Sequence, residues 1–181
     1  PYCDFYSEVR GEDALSAWAE AVAAEARMRA GFTKRFDTLY LGGGTPSILP
    51  SNILSGLMSE LGRSWTIHSA GELTIEVNPD DVTSSLLKKY LEMGFNRVSL
   101  GIQSFSEKEL RFLGRRHGAR RALEAAASVM EAGFDRVSFD LINSLPGQSL
   151  RDWKDTLARA VKIGPDHLSC YQLTFKSGTG L

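Results

Sequence analysis

Glu92-Met93-Gly94-Phe95-Asn96-Arg97-Val98-Ser99-Leu100 nearly recurs 39 residues later as Glu131-Ala132-Gly133-Phe134-Asp135-Arg136-Val137-Ser138-Phe139. Each copy reads as a helix end, a glycine C-cap, a short turn and the start of a strand. Ala30-Gly31-Phe32, ahead of Thr38-Leu39-Tyr40-Leu41, is a weaker third copy. A repeat that joins the end of a helix to the start of a strand marks βα units, and such units lay their strands in parallel.

Working outward from the repeat, five short runs rich in β-branched or aromatic residues predict strands: about Thr38–Leu41, Leu73–Val77, Arg97–Ile102, Arg136–Ile142 and His167–Leu173. Helical patterns lie between them. Leu15, Trp18, Ala19, Val22 and Ala26 keep the spacing of one helix face, and Leu86, Leu87, Tyr90 and Leu91 do the same. Ser106 with Glu109 fits a capping box opening a short helix. Ala122 to Met130 is a small-residue helix suited to close packing on a sheet, and Ser149 with Asp152 opens a helix running to Ile163. A complete eight-fold barrel needs about 250 residues. At 181 residues the chain suits an open or partial α/β barrel in a single domain.

Lys+Arg total 21 and Asp+Glu 22, for a net charge of -1. So balanced a chain has no global field to draw nucleic acid or an anionic membrane, and no nucleic-acid partner is expected. No apolar run approaches the roughly 18–20 residues of a membrane span. No secretory signal is visible, and two cysteines are too few for a disulfide scaffold, so a cytoplasmic location is expected. The chain opens without Met, on Pro1-Tyr2-Cys3, which reads as a cropped or processed start.

Parallel α/β folds bind ligands beyond the C-terminal ends of their strands. Those ends carry Gly42-Gly43-Gly44-Thr45-Pro46, Glu76 and Asn78, Gly101 and Gln103, Asp140 and Asn143, and Tyr171 and Gln172. Alternation puts Leu73, Ile75 and Val77 under the helices and Thr74, Glu76 and Asn78 toward the barrel interior. A carboxylate there needs a partner, either a ligand or a neighbouring arginine. The glycine run lets backbone approach a ligand, or else makes a tight strand-to-helix turn. It is neither GxGxxG nor GxxxxGK[ST], so dinucleotide and ATP-phosphate readings lose support. Cys3 alone cannot specify a metal site. Cys170 reads as a buried core thiol, Arg115-Arg116-His117 with Arg120-Arg121 as a solvated face, and His68 and His167 as structural.

Eight pieces, in order along the whole chain, resemble the radical S-adenosylmethionine (SAM) superfamily. Within it they resemble the branch of coproporphyrinogen dehydrogenases and HemW-like heme chaperones. They are Pro1-Tyr2-Cys3-Asp4-Phe5, Leu41-Gly42-Gly43-Gly44-Thr45-Pro46-Ser47, Glu76-Val77-Asn78-Pro79, Ser99-Leu100-Gly101-Ile102-Gln103-Ser104-Phe105, Leu113-Gly114-Arg115-Arg116-His117, Phe139-Asp140-Leu141-Ile142, Leu145-Pro146-Gly147-Gln148 and Leu168-Ser169-Cys170-Tyr171-Gln172-Leu173. The resemblance implies a partial (β/α)6 barrel. It implies a [4Fe-4S] cluster on a CxxxCxxC loop, with Cys3 as the third ligand and the other two just before Pro1. It also implies SAM contacts from Tyr2, Gly43, Gly44, Thr45, Glu76, Gln103, Arg115 and Asp140. Residues 1–181 would then be a radical SAM core lacking its first strand and a C-terminal domain.

Phe5 stands where the dehydrogenases of this branch carry a further cysteine, so the resemblance points to the chaperone side. It implies heme as a bound ligand and heme-accepting apoproteins as partners. Lys176-Ser177 departs from the acidic residue and proline common in these relatives. The alternatives are an oxygen-independent coproporphyrinogen III oxidase of porphyrin biosynthesis and a metal-free α/β barrel binding a phosphorylated metabolite.

Overall fold

The computed structural model describes residues 11–175. Each of the five strands predicted is found, and they are the five among the described residues: β1 Arg35–Leu41, β2 Thr66–Val77, β3 Arg97–Gln103, β4 Arg136–Asn143 and β5 His167–Gln172. They form one sheet in the order β1-β2-β3-β4-β5, every neighbouring pair parallel. A doubly wound sheet reverses its strand order at a switch point. This one never reverses, which is the winding of a barrel left open between β5 and β1.

Among the described residues six α-helices connect and cover the strands: α1 Glu12–Arg29, α2 Ser51–Ser64, α3 Ser84–Glu92, α4 Glu107–Phe112, α5 Ala119–Glu131 and α6 Leu150–Ile163. The quoted repeat is the α3–β3 and α5–β4 joint. Gly94 and Gly133 sit at φ +92° and +95°, a region that L side chains rarely adopt. Gly164 makes the same joint between α6 and β5 at φ +86°. Ala30-Gly31-Phe32 does not: Gly31 lacks a positive φ, and β1 begins only at Arg35. At two joints a polar side chain caps the neighbouring strand. Asn96 Oδ1 accepts from the Leu73 amide at 2.8 Å, and Asp166 Oδ2 from the Val137 amide at 2.8 Å.

The alternation holds. Ile75, Val77, Val98, Leu100, Val137, Phe139 and Leu141 are buried on the helix side, in one core with Leu54, Leu87, Tyr90, Ala122, Ala126 and Ala160. The opposite face is polar, with Thr74, Glu76, Ser99, Ser138 and Asp140.

Several expectations need correction. On the predicted face of α1, Ala19 and Ala26 are buried and Leu15 and Val22 pack beside the core, joined by Ala23 against Leu57 of α2, but Trp18 is 44% exposed. α2 itself goes unread in the sequence because Gly56 and Gly62 dilute its pattern. β2 starts seven residues before Leu73. Its register slips between Phe36 and Thr38, and any side chain at Gly71 would sit 2.8 Å from the carbonyl oxygens of Asp37 and His68. Ser106 caps α4 without a side-chain bond, because Glu109 turns away to accept from Ser104 Oγ and Gln148 Nε2. Ser149 and Asp152 do form a complete capping box on α6. Cys170 is exposed on the edge strand rather than buried in the core. Among the described residues no helix is long and apolar enough to cross a membrane.

Candidate functional site

The strand ends enclose a cavity of about 480 Å³. Its wall includes Gly44, Thr45, Glu76, Gln103, Arg115 and Asp140, six of the residues singled out above. Gly43 reaches it indirectly, donating its amide to Glu76 Oε2 at 3.1 Å. Tyr2 and Cys3 lie outside the described residues. Asn143 does not join the wall. Its side chain accepts from the Ser144 hydroxyl instead.

Each polar group has a structural reason for its aim. Glu76 is two residues beyond the buried Thr74 on the inner face of β2. Its Oε1 accepts from the Tyr40 hydroxyl at 2.8 Å, so both carboxylate oxygens are held. Gly42 allows that position: a Cβ there would lie 2.7 Å from the Glu76 carboxylate and 2.5 Å from the Tyr40 ring. Gly43 takes φ +105° to turn its amide back. Only these two glycines of the run are thus required by geometry. At the end of β3 the register slips between Leu100 and Gln103, and Gln103 takes φ +66°. The slip re-aims Gln103 into the cavity. A Cβ on Gly101 would come 3.0 Å from Gln103 Nε2 and 3.5 Å from an Arg115 nitrogen. Arg115 donates to the Gly101 carbonyl at 3.1 Å. Asp140 accepts from Ser99 Oγ at 3.0 and 3.1 Å.

The electrostatics follow from two carboxylates in one partly dry space. Burial pushes Asp140 above the usual carboxylate range, and the negative charge of Glu76 adds to it, while Ser169 and Ser99 hydrogen bonds work against the rise. Burial and the adjacent Glu76 also hold the Tyr40 hydroxyl well above its ordinary value, so it stays a donor. The cavity therefore favours a ligand that brings positive charge to Glu76 and Asp140 and a carboxylate to Arg115. A phosphate would meet two like charges.

Sequence reasoning missed Tyr40 and Ser99. Both share the inner face with Glu76 and Asp140 and were legible by strand alternation alone. The basic cluster is a solvated face only in part, with Arg116 and Arg120 exposed. Arg115 lines the cavity, Arg116 pairs with Asp80 and Asp81, and His117 is buried with Nε2 3.1 Å from the Ile102 carbonyl oxygen. Arg121 binds the Val82 carbonyl and lies within ion-pair distance of Glu124, with which the exposed Arg120 also pairs. His68 accepts from the Ala70 amide and His167 contacts Ser138 Oγ, so both have structural partners.

An open, singly wound α/β half-barrel with its polar cavity at the strand ends defines the class. A family profile described as the Radical SAM superfamily matches residues 1–160, and the chain belongs to that superfamily. It is 34% identical over 182 residues to the heme chaperone HemW of Escherichia coli (strain K12), covering 99% of this chain and 48% of that protein. It is 31% identical to the mitochondrial radical S-adenosyl methionine domain-containing protein 1 of Danio rerio, covering 99% of this chain and 41% of that protein. The solved coproporphyrinogen III oxidase HemN of Escherichia coli superposes with a TM-score of 0.87 at 28% identity, covering 96% of this chain and 41% of that chain. The chain thus spans about half the length, or less, of these relatives.

Proposed function

We propose that residues 1–181 are the radical SAM core of a HemW-like heme chaperone, which binds heme and passes it to apoproteins. The observation that carries the cofactor part is the donor set of the cavity. Glu76 and Asp140 suit the ammonium and hydroxyl groups of SAM, and Arg115 forks onto its carboxylate. Gly43, Gly44, Thr45 and Gln103 line or shape the same space. Cys3 would supply one thiolate of a [4Fe-4S] cluster, with Tyr2 beside the adenine. When bound, such a cluster supplies single-electron chemistry to the sulfonium. The work of this chain's own residues is to orient the ligand and keep competing groups out.

The choice of branch is supported by Phe5 and by the similarity to heme chaperones along nearly the full chain. The likeness to HemN favours a second reading, oxidation of coproporphyrinogen III. One preparation decides between them. The full-length protein, reconstituted anaerobically with iron and sulfide, is titrated with heme and assayed in parallel with reductant, SAM and coproporphyrinogen. Tight heme binding without porphyrin turnover, followed by transfer to an apo-cytochrome, is expected. Protoporphyrinogen formed over many turnovers would establish the second reading instead.

A further inference from the structure

Behind the cavity wall a second polar cluster is built on the tight turn Pro79–Asp81, which follows β2. Asp81 Oδ2 accepts from Ser47 Oγ at 2.6 Å, and the same hydroxyl oxygen accepts from the Asn78 amide at 3.1 Å. Arg116 forks over the turn, its Nε 3.5 Å from Asp80 and its terminal nitrogen 3.4 Å from Asp81. Ser47 is nearly fully buried, whereas the Arg116 side chain is largely exposed.

Three loops end in this cluster, and each is adjacent in the chain to a piece of the wall. Ser47 follows Thr45 and Pro46, Asp80 and Asp81 follow Asn78, and Arg116 follows Arg115. Arg115 and Arg116 part company: one lines the cavity, the other holds the turn. An exposed ion pair adds little stability by itself. Here it acts on an aspartate already fixed by a buried hydroxyl, so its effect falls on the spacing of loops.

We infer that Arg116, acting through Asp81 and Ser47, is a positioning residue that sets the spacing of the Thr45–Pro46, Asn78 and Arg115 walls and thereby the affinity of the cavity for a zwitterionic ligand. The affinity part rests on the reading of the cavity as the SAM site. Lysine is a poor substitute, because a compact ammonium cannot fork across Asp80 and Asp81.

The test has a ligand-free arm and a ligand arm. In the ligand-free full-length protein, Arg116→Ala should speed amide hydrogen exchange at Asn78 and across residues 43–48 while leaving β3 and β4 unchanged. Unchanged exchange there overturns the proposal whatever the protein binds. In the reconstituted protein, calorimetry should show SAM affinity about ten-fold weaker in Arg116→Ala and in Ser47→Ala. The double variant should be no weaker than the poorer single, because both break one chain of contacts. Arg116→Lys should recover only part. Asp81→Asn, which keeps volume and an acceptor, stands in if Ser47→Ala fails to fold. Melting of Arg116→Ala within about 3 °C of wild type separates positioning from stability. Wild-type affinity in Arg116→Ala, or losses that simply add, overturns the relay while the SAM reading stands. A wild-type protein that binds no SAM sinks that reading and the affinity role together, and a persisting exchange difference then supports the loop-spacing role alone.

Discussion

Gly42→Ala places a methyl group where the Glu76 carboxylate lies. The new Cβ would stand 2.7 Å from Glu76 Oε1 and 2.5 Å from Cε1 of Tyr40, against about 3.5–4.0 Å for an unstrained contact. Both are side-chain atoms, so the fold yields and the carboxylate moves. Its bonds to the Tyr40 hydroxyl and the Gly43 amide break. Bonds to a buried charged group contribute about 1.5–3 kcal/mol each. Glu76 is only half-buried, so about 1–2 kcal/mol of stability is expected to go in all. Alanine returns about 0.5–1 kcal/mol by restricting the unfolded chain. The net change in stability is then about 1 kcal/mol or less, while SAM affinity falls about ten- to a hundred-fold with the carboxylate out of place. Gly43→Ala is the control. The space around it is open, but φ is +105°, so the strain of about 1–3 kcal/mol appears in stability, no new atom meets the Glu76 carboxylate, and its bond to Tyr40 stays in place. Urea denaturation and calorimetry on the reconstituted protein should therefore separate two adjacent glycines. Unchanged SAM affinity in Gly42→Ala, or an equal loss of affinity in Gly43→Ala, would refute the reasoning.

Further outcomes follow from individual side chains. Asp140 is held above the usual carboxylate range, so stability is lost as pH rises through its folded value. Asp140→Asn should flatten the fall of denaturation midpoints as pH rises above the ordinary carboxylate range and weaken SAM binding, and a variant with the same pH dependence as wild type would contradict this. The Tyr90 hydroxyl is buried without a hydrogen-bond partner among the described residues, so Tyr90→Phe should leave stability unchanged or raise it by about 1 kcal/mol. A clear loss in urea would show that the hydroxyl is satisfied. Ser149→Ala removes the α6 cap and should cost about 1 kcal/mol by chemical denaturation. Its bonds hold Asp152 below the ordinary carboxylate value, so the wild-type advantage should be present at neutral pH and fade as the solution is acidified through that lowered value.

The sheet was legible because its signals are local. A glycine cap, a turn and a β-branched run fall within nine residues, and Gly94 and Gly133 enforce them by backbone geometry alone. What stayed hidden depends on distant partners. Glu109 sits where a capping box would use it, but Ser104 and Gln148 offered it a buried place between two loops. Trp18 shares its helical spacing with Leu15, Ala19, Val22 and Ala26, yet it alone of that set stays exposed. Cys170 lies in an apolar run that belongs to an edge strand, and no window on the sequence distinguishes an edge from a centre. At the site, strand alternation placed Glu76 and Asp140 correctly. It could not show that Arg115 and Arg116 serve opposite sides of one wall.

The strand order has a consequence for how the molecule comes into being. Every strand pairs with the one made just before it, so native contacts accumulate in the direction of synthesis, at about 5–20 residues per second on a ribosome. Glu76 meets Tyr40 and Gly43 as soon as β2 docks. Arg115 and Asp140 arrive in turn, and β5 with the residues just after it, Tyr171 to Thr174, comes last among the described wall residues. During translation the nascent chain therefore displays a charged, half-walled trough before any finished cavity exists. A chain arrested ahead of Tyr171 would present this trough with the β5 side of its wall missing.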